Sequence, residues 1–134
     1  MEYTQILQMD EKDNEIVNIL TRTGMARNTA KIFVAIKELD NPDTKQIMQF
    51  TGIMQPQISV AVRQLIDMGY VESKTDQTEN KGRPISYFSL KKSMPEIIND
   101  IEMIVQERIN TEKQNIERLK TLTENYIYDE QYTM

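Results

Sequence analysis

Apolar residues recur along this chain in two rhythms, and the changes between them mark the elements. In "NEIVNILTRTG", Ile16, Val17, Ile19 and Leu20 fall ahead of Gly24, the pattern of a short helix with a glycine stop. Ile6 and Leu7 suggest a further helical turn before it. "RNTAKIFVAIKELD" places Ile32, Phe33, Ile36 and Leu39 at helical spacing, which predicts a buried helix. "DNPD" then breaks the chain, because proline disfavours helical geometry in the residue before it. Asp43 and Gln46 have the spacing of a capping box, in which each side chain serves a backbone amide of the other residue. The two-turn helix that follows buries Ile47 with Met48 or Phe50, and Gly52 closes it. Pro56 then sits in the first turn of the next helix, where its missing amide does no harm, with Gln55 just before it. Ile58, Ala61, Val62, Leu65 and Ile66 share one side of that helix, which runs to Met68 before Gly69.

Beyond Gly69 the period shortens to two. "YVESKT" and "ISYFSL" read as paired strands, with "DQTENKGRP" as a long hairpin tip. Two helices joined by a short glycine-containing turn make a helix-turn-helix, and a hairpin directly after it makes a winged helix. From Ser93 a helical period returns and persists. Met94, Ile97, Ile98, Ile101, Ile104, Val105 and Ile109 form a wide apolar stripe, and Glu112, Ile116, Leu119, Thr123 and Tyr126 continue it as a narrower seam. A helix of about 30 residues spans about 45 Å, too long for so small a core to cover, so a second copy of the chain is the simplest supplier of the missing surface. The expected fold is mainly α with a small β-hairpin wing: an N-terminal helical arm at 1–23, a winged helix-turn-helix at 24–92, and a long dimerisation helix at 93–134.

Composition narrows the chemistry. The 134 residues contain neither cysteine nor histidine, which removes disulfides, thiolate or imidazole metal sites, and Ser-His or Cys-His nucleophilic catalysis. Carboxylate-pair hydrolysis needs two acids in a pocket, and the acids here lie on solvated helix faces, so no enzyme activity, cofactor or metal is expected. No apolar run approaches the roughly 20 residues of a membrane span and no signal peptide is evident, so a cytoplasmic protein is expected. The net charge of −5 is unevenly spread. Residues 1–20 carry one basic against five acidic side chains, residues 21–92 eleven against seven, and residues 93–134 four against nine. The middle of the chain is basic and both ends are acidic, which removes the objection to a nucleic-acid partner.

"TGMARNTAKIFVAIKEL", "TKQIMQFTGIMQPQISVAVRQLIDMGYVE" and "KGRPISYFSL" resemble the winged-helix part of TrmB-like archaeal regulators. The segment of form QPxISxxVxxLxxxGxV is equally similar to ArsR and MarR family repressors. The resemblance covers about residues 24–92 and implies a dimeric DNA-binding repressor or regulator. The chain departs from these families in three ways. It has no room for the sugar-binding domain that often follows in TrmB-like regulators, it lacks the metal-sensing Cys and His of ArsR repressors, and Ala26 stands where they usually have a capping Ser or Thr.

Candidate contacts follow from the side of the Pro56 helix opposite Ile58 and Leu65. Gln57, Val60, Arg63, Gln64 and Asp67 lie there, with Ser59 at the flank and Gln55 before the helix. Glutamine can pair with adenine N6 and N7, arginine can fork onto guanine O6 and N7, and an outward valine suits a thymine methyl. Asp67 would repel phosphate, so the first two turns are expected to enter the groove. Lys81 and Arg83 at the wing suit phosphate or an A·T-rich minor groove, and Thr44 and Lys45 can hold a phosphate beside Asp43. The plainer alternatives are a solvated helix face, a loop with two surface cations, and a capped helix start. The expected dimer interface is Ile98, Ile101, Val105, Ile109, Ile116, Leu119 and Tyr126. The expected partners are double-stranded DNA and a second copy of the chain, without a membrane, and the dimer junction leaves room for a small-molecule effector. Repression is the expected mode, since nothing resembles an activation segment. The competing reading is a winged helix serving as a protein–protein module.

Overall fold

The structure, a computed structural model, describes residues 8–76 and 84–124. Ile6 and Leu7, most of the hairpin tip including Lys81 and Arg83, and Tyr126 lie outside the described residues. The chain divides into two compact units, Met1–Ile97 and Ile98–Met134. The helix at 11–22 packs on the helix at 27–38 and buries Val17 and Leu20.

Helix α1 (Glu11–Arg22) begins earlier than the apolar pattern suggests, because two aspartates cap it. The Asp13 amide donates to Asp10 Oδ1 at 2.8 Å, and the Asp10 amide donates to Asp13 Oδ2 at 3.1 Å. Helix α2 (Arg27–Glu38) is buried nearly all round, through Ala30, Ile32, Phe33, Val34, Ala35 and Ile36. Residues 32–36 are buried in succession, more than a full turn, which places this helix at the centre of the core, with α1, the two helices that follow it and the second hairpin strand all packed on it. Its N-cap, Ala26, makes no side-chain hydrogen bond, so this helix depends on packing rather than capping. Leu39 falls just past its end with extended backbone.

Asn41, at φ 48, and the fully buried Pro42 turn the chain into α3 (Thr44–Thr51). The Pro42 carbonyl accepts the Phe88 amide at 3.0 Å and fastens this turn to the hairpin. The capping box at α3 is present: the Gln46 amide donates to Asp43 Oδ1 at 2.8 Å, and the Asp43 amide donates to Gln46 Oε1 at 2.9 Å. Phe50, rather than Met48, is buried beside Ile47. Gly52, at φ 78, ends α3 in the left-handed region that side-chain-bearing residues avoid.

Helix α4 (Gln55–Asp67) begins at Gln55, one residue before the proline. Ile58, Ala61, Val62 and Leu65 are buried, as the spacing predicts, but Ile66 is 40% exposed. At 100° per residue Ile66 lies about 80° round the helix from Ile58, at the margin of the apolar arc. Strands β1 (Val71–Asp76) and β2 (Ile85–Leu90) pair antiparallel, from Val71 opposite Leu90 to Asp76 opposite Ile85. Val71 and Phe88 turn inward, and Tyr70 packs edge-on against Phe33 with ring centroids 6.3 Å apart. Helices followed by a hairpin packed on the same core make a winged helix-turn-helix.

Helix α5 (Met94–Leu122) starts with reciprocal hydrogen bonds: the Glu96 amide donates to Ser93 Oγ at 3.3 Å, and the Ser93 amide donates to Glu96 Oε1 at 2.9 Å. Ile97 is its one buried residue among those described. Within the described residues no helix is long and apolar enough to cross a membrane.

Candidate nucleic-acid interface

The site is built on α4 because that helix has one face to give away. Its buried face is held by α2, α3 and β1, which fixes the rotation of the opposite face. Gln55, Gln57, Ser59, Arg63 and Gln64 are all exposed there, and Val60 is 59% exposed at the crest. Leaving a valine so far in water forfeits on the order of 1 kcal/mol of burial, which a thymine methyl or another apolar partner would restore.

Two shallow clefts flank this crest. One, of about 380 Å³, runs between α4 and the start of α2 and is bordered by Asn28, Thr29, Gln57 and Gln64. The other, of about 280 Å³, lies toward α3 and the hairpin and brings Thr44 together with Ser59, Arg63 and Asp67. Thr44 is half-buried and Lys45 exposed in the first turn of α3. Thr44 and Arg63 therefore border one concave surface, whereas Gln57 and Gln64 border the other. Arg63 can donate to an acceptor pair, such as guanine O6 and N7 or a phosphate. Asp67, deeper along α4, disfavours phosphate at that end. The cationic Lys81 and Arg83, expected at the wing, fall outside the described residues.

Gln64 differs from its neighbours. Its carbonyl oxygen Oε1 accepts a hydrogen bond from the hydroxyl of Thr29 on α2. Nothing local in the sequence points to this pairing, since the residues stand 35 apart. Thr29, in the first turn of α2, is 2% exposed. Met54, the N-cap of α4, is also 61% exposed, beside Gln55. The signal for it was present in the sequence as an apolar residue between Gly52 and Pro56.

On α5, Ile98, Ile109, Ile116 and Leu119 are exposed at 56%, 39%, 53% and 60%, while Ile101 and Val105 are half-buried.

A convex helix face flanked by clefts, in the second helix of a helix-turn-helix, is the arrangement that DNA-binding winged helices present. Solved structures carry the same fold. The chain is similar to a protein described as a possible transcriptional regulator from Methanosarcina mazei Go1, with a TM-score of 0.61 and 15% identity, over 78% of this chain and 87% of that one. It is also similar to a MarR-family transcriptional regulator from Silicibacter pomeroyi, with a TM-score of 0.51 and 13% identity, over 84% of this chain and 80% of that one. At such identities the likeness establishes the winged-helix fold. No protein-family model matches the sequence, and no curated protein matches it.

Proposed function

We propose that the protein is a sequence-specific double-stranded DNA-binding transcriptional regulator, a homodimer that represses by occluding its site. The observation that carries this reading is the exposed row Gln55, Gln57, Ser59, Val60 and Arg63 on a helix whose other face is fixed by the core. Such a row combines donors, acceptors and a methyl-sized apolar contact, the mixture a major groove requires. The two structural neighbours named above are described as a possible transcriptional regulator and a MarR-family transcriptional regulator, which supports carrying that role to this chain. The exposed isoleucines and leucines of α5 support a second copy as partner, and two copies would set paired reading helices about 34 Å apart on a pseudo-palindromic site. A small-molecule effector would bind at that dimer junction. The test is selection of duplexes from a random pool by the full chain, followed by footprinting. A two-fold related consensus is expected, and binding equal on all sequences would leave a nonspecific binder.

The exposed Val60 and Met54 favour a second reading, a protein–protein module, because a protein partner would bury them. The two readings separate at low salt: a module of this kind ignores duplex DNA even there, whereas a DNA reader binds and loses affinity steeply as salt rises.

A further inference from the structure

We propose that Thr29 determines which atoms Gln64 shows to DNA, making Gln64 a reader of guanine rather than adenine. The inference rests on α4 being the DNA-reading helix. Thr29, 2% exposed in the first turn of α2, donates its hydroxyl to Oε1 of Gln64, whereas Gln64 itself is exposed. A free glutamine side chain has one acceptor and one NH2 group, and this pair matches the N6 donor and N7 acceptor of adenine. Here the carbonyl oxygen is drawn to the α2–α4 junction by a side chain nearly out of solvent. The group left for an outside partner is Nε2, which has hydrogens to give and no lone pair to offer.

In the major groove, guanine sets two acceptors side by side, O6 and N7, and both can take hydrogens from one NH2 group. Adenine sets its N6 donor next to N7, so an outward NH2 meets one acceptor and one like-signed hydrogen. Cytosine presents a donor only. The hydroxyl of Thr29 thus occupies one of the two lone pairs of Oε1 and holds that oxygen at the junction, which biases the amide toward donating outward. Val60 and Gln57 border the same cleft, so the base read by Gln64 neighbours those they touch. Thr29 itself touches no base. It is a positioning residue.

The test selects duplexes from a random pool with the full chain and four variants, Thr29→Val, Thr29→Ser, Gln64→Ala and Gln64→Glu. Gln64→Ala identifies the base pair, because preference is lost there alone. The native chain is expected to select guanine at that pair, with adenine binding about tenfold weaker. Thr29→Ser keeps that choice. Thr29→Val releases the amide and brings guanine and adenine to within about twofold, with preferences elsewhere unchanged. A change confined to one base pair is something a merely structural role for Thr29 would not produce. Gln64→Glu, a surface change that retains the acceptor for Thr29 but has no NH2, loses the guanine preference and guards against a Thr29→Val chain that fails to fold. Retention of the guanine choice by Thr29→Val or by Gln64→Glu, or selection of adenine by the native chain, overturns the proposal while leaving α4 as the reading helix. A native chain that selects no sequence and matches Gln64→Ala on every duplex overturns the α4 reading itself, and this inference with it.

Discussion

Asp13 shows how a single side chain can be caught between local and tertiary demands. As the third residue of α1 it belongs to the capping pair with Asp10, yet the fold leaves it only 5% exposed. Burial pushes its carboxyl above the ordinary range, the Asp10 amide pulls the other way, and the nearby Glu38 and Asp10 carboxylates push it up again. Asp10 goes in the opposite direction, lowered first of all by the Asp13 amide it accepts. The two groups therefore tie stability to pH with opposite signs. For Asp13 the folded value lies above the unfolded one. Its ionisation costs folding stability as pH rises past the ordinary 3.8 and through the raised value, and the full cost is present at neutral pH. For Asp10 the stabilisation is present above 3.8 and disappears as pH falls through the lowered value. Asp13→Asn keeps an acceptor for the Asp10 amide and removes the buried charge. It is expected to raise the thermal midpoint at pH 7 by a few degrees, with the advantage shrinking below about pH 4. The favour that a helix start extends to a negative charge, about 0.3–1 kcal/mol, works against this gain and keeps it small. Melting curves followed by circular dichroism across pH 3–8 check it; a midpoint lowered at pH 7 would mean that the cap interaction outweighs burial. The "DEKD" run was visible in the sequence as four charges before an apolar stretch. That one of them would be buried depended on how α1 packs on α2.

Helix α4 separates two kinds of residue cleanly. Leu65 is fully buried, so Leu65→Ala should cost about 2–5 kcal/mol of folding stability, read as an earlier denaturant midpoint. Arg63 is exposed two positions away, and Arg63→Ala should leave that midpoint within about 0.5 kcal/mol of the native value. Its expected loss is in DNA, about 1–3 kcal/mol at one base position. A titration of matched duplexes reads this second effect, and equal weakening on every sequence would reassign Arg63 to phosphate. Most of this helix was legible, because the Gln-Pro start, the Ile58, Val62 and Leu65 spacing and the Gly69 stop are all local signals. What was not legible lies at the margins of its apolar arc. Ile66 faces a cleft rather than the core because α3 and β2 leave space there. Gln64, read as a free amide, is held by a threonine from another helix. Helical periodicity reports the direction in which a side chain leaves its own helix. It contains nothing about what the neighbouring helix has placed in that direction.

At the scale of the molecule the open question is what covers α5. Six of its large apolar residues, Ile98, Met103, Ile104, Ile116, Leu119 and Leu122, are each more than half exposed in the single chain. Water-exposed apolar area spread along a long helix is the ordinary mark of one that pairs. The double variant Ile116→Lys with Leu119→Lys places charges in the seam of a two-chain pair. Its mass in solution by light scattering is expected to fall from about twice the 15.7 kDa of one chain to a single chain. Affinity for a two-fold site should drop with it, while binding to an isolated half-site stays as it was. An unchanged mass would place the interface elsewhere.

The sequence alone determined the order and type of the elements, the capping box of Asp43 with Gln46, the glycine turn between α3 and α4, and the unevenness of charge along the chain. These are properties of neighbours within a few residues, where capping, backbone freedom and apolar period act without reference to the rest of the fold. Only the tertiary structure decided that Asp13 is buried, that Ile66 is not, and that Thr29 holds Gln64. Each of those outcomes turns on residues far apart in the chain meeting across a helix junction, and that meeting is set by how the apolar faces pack together.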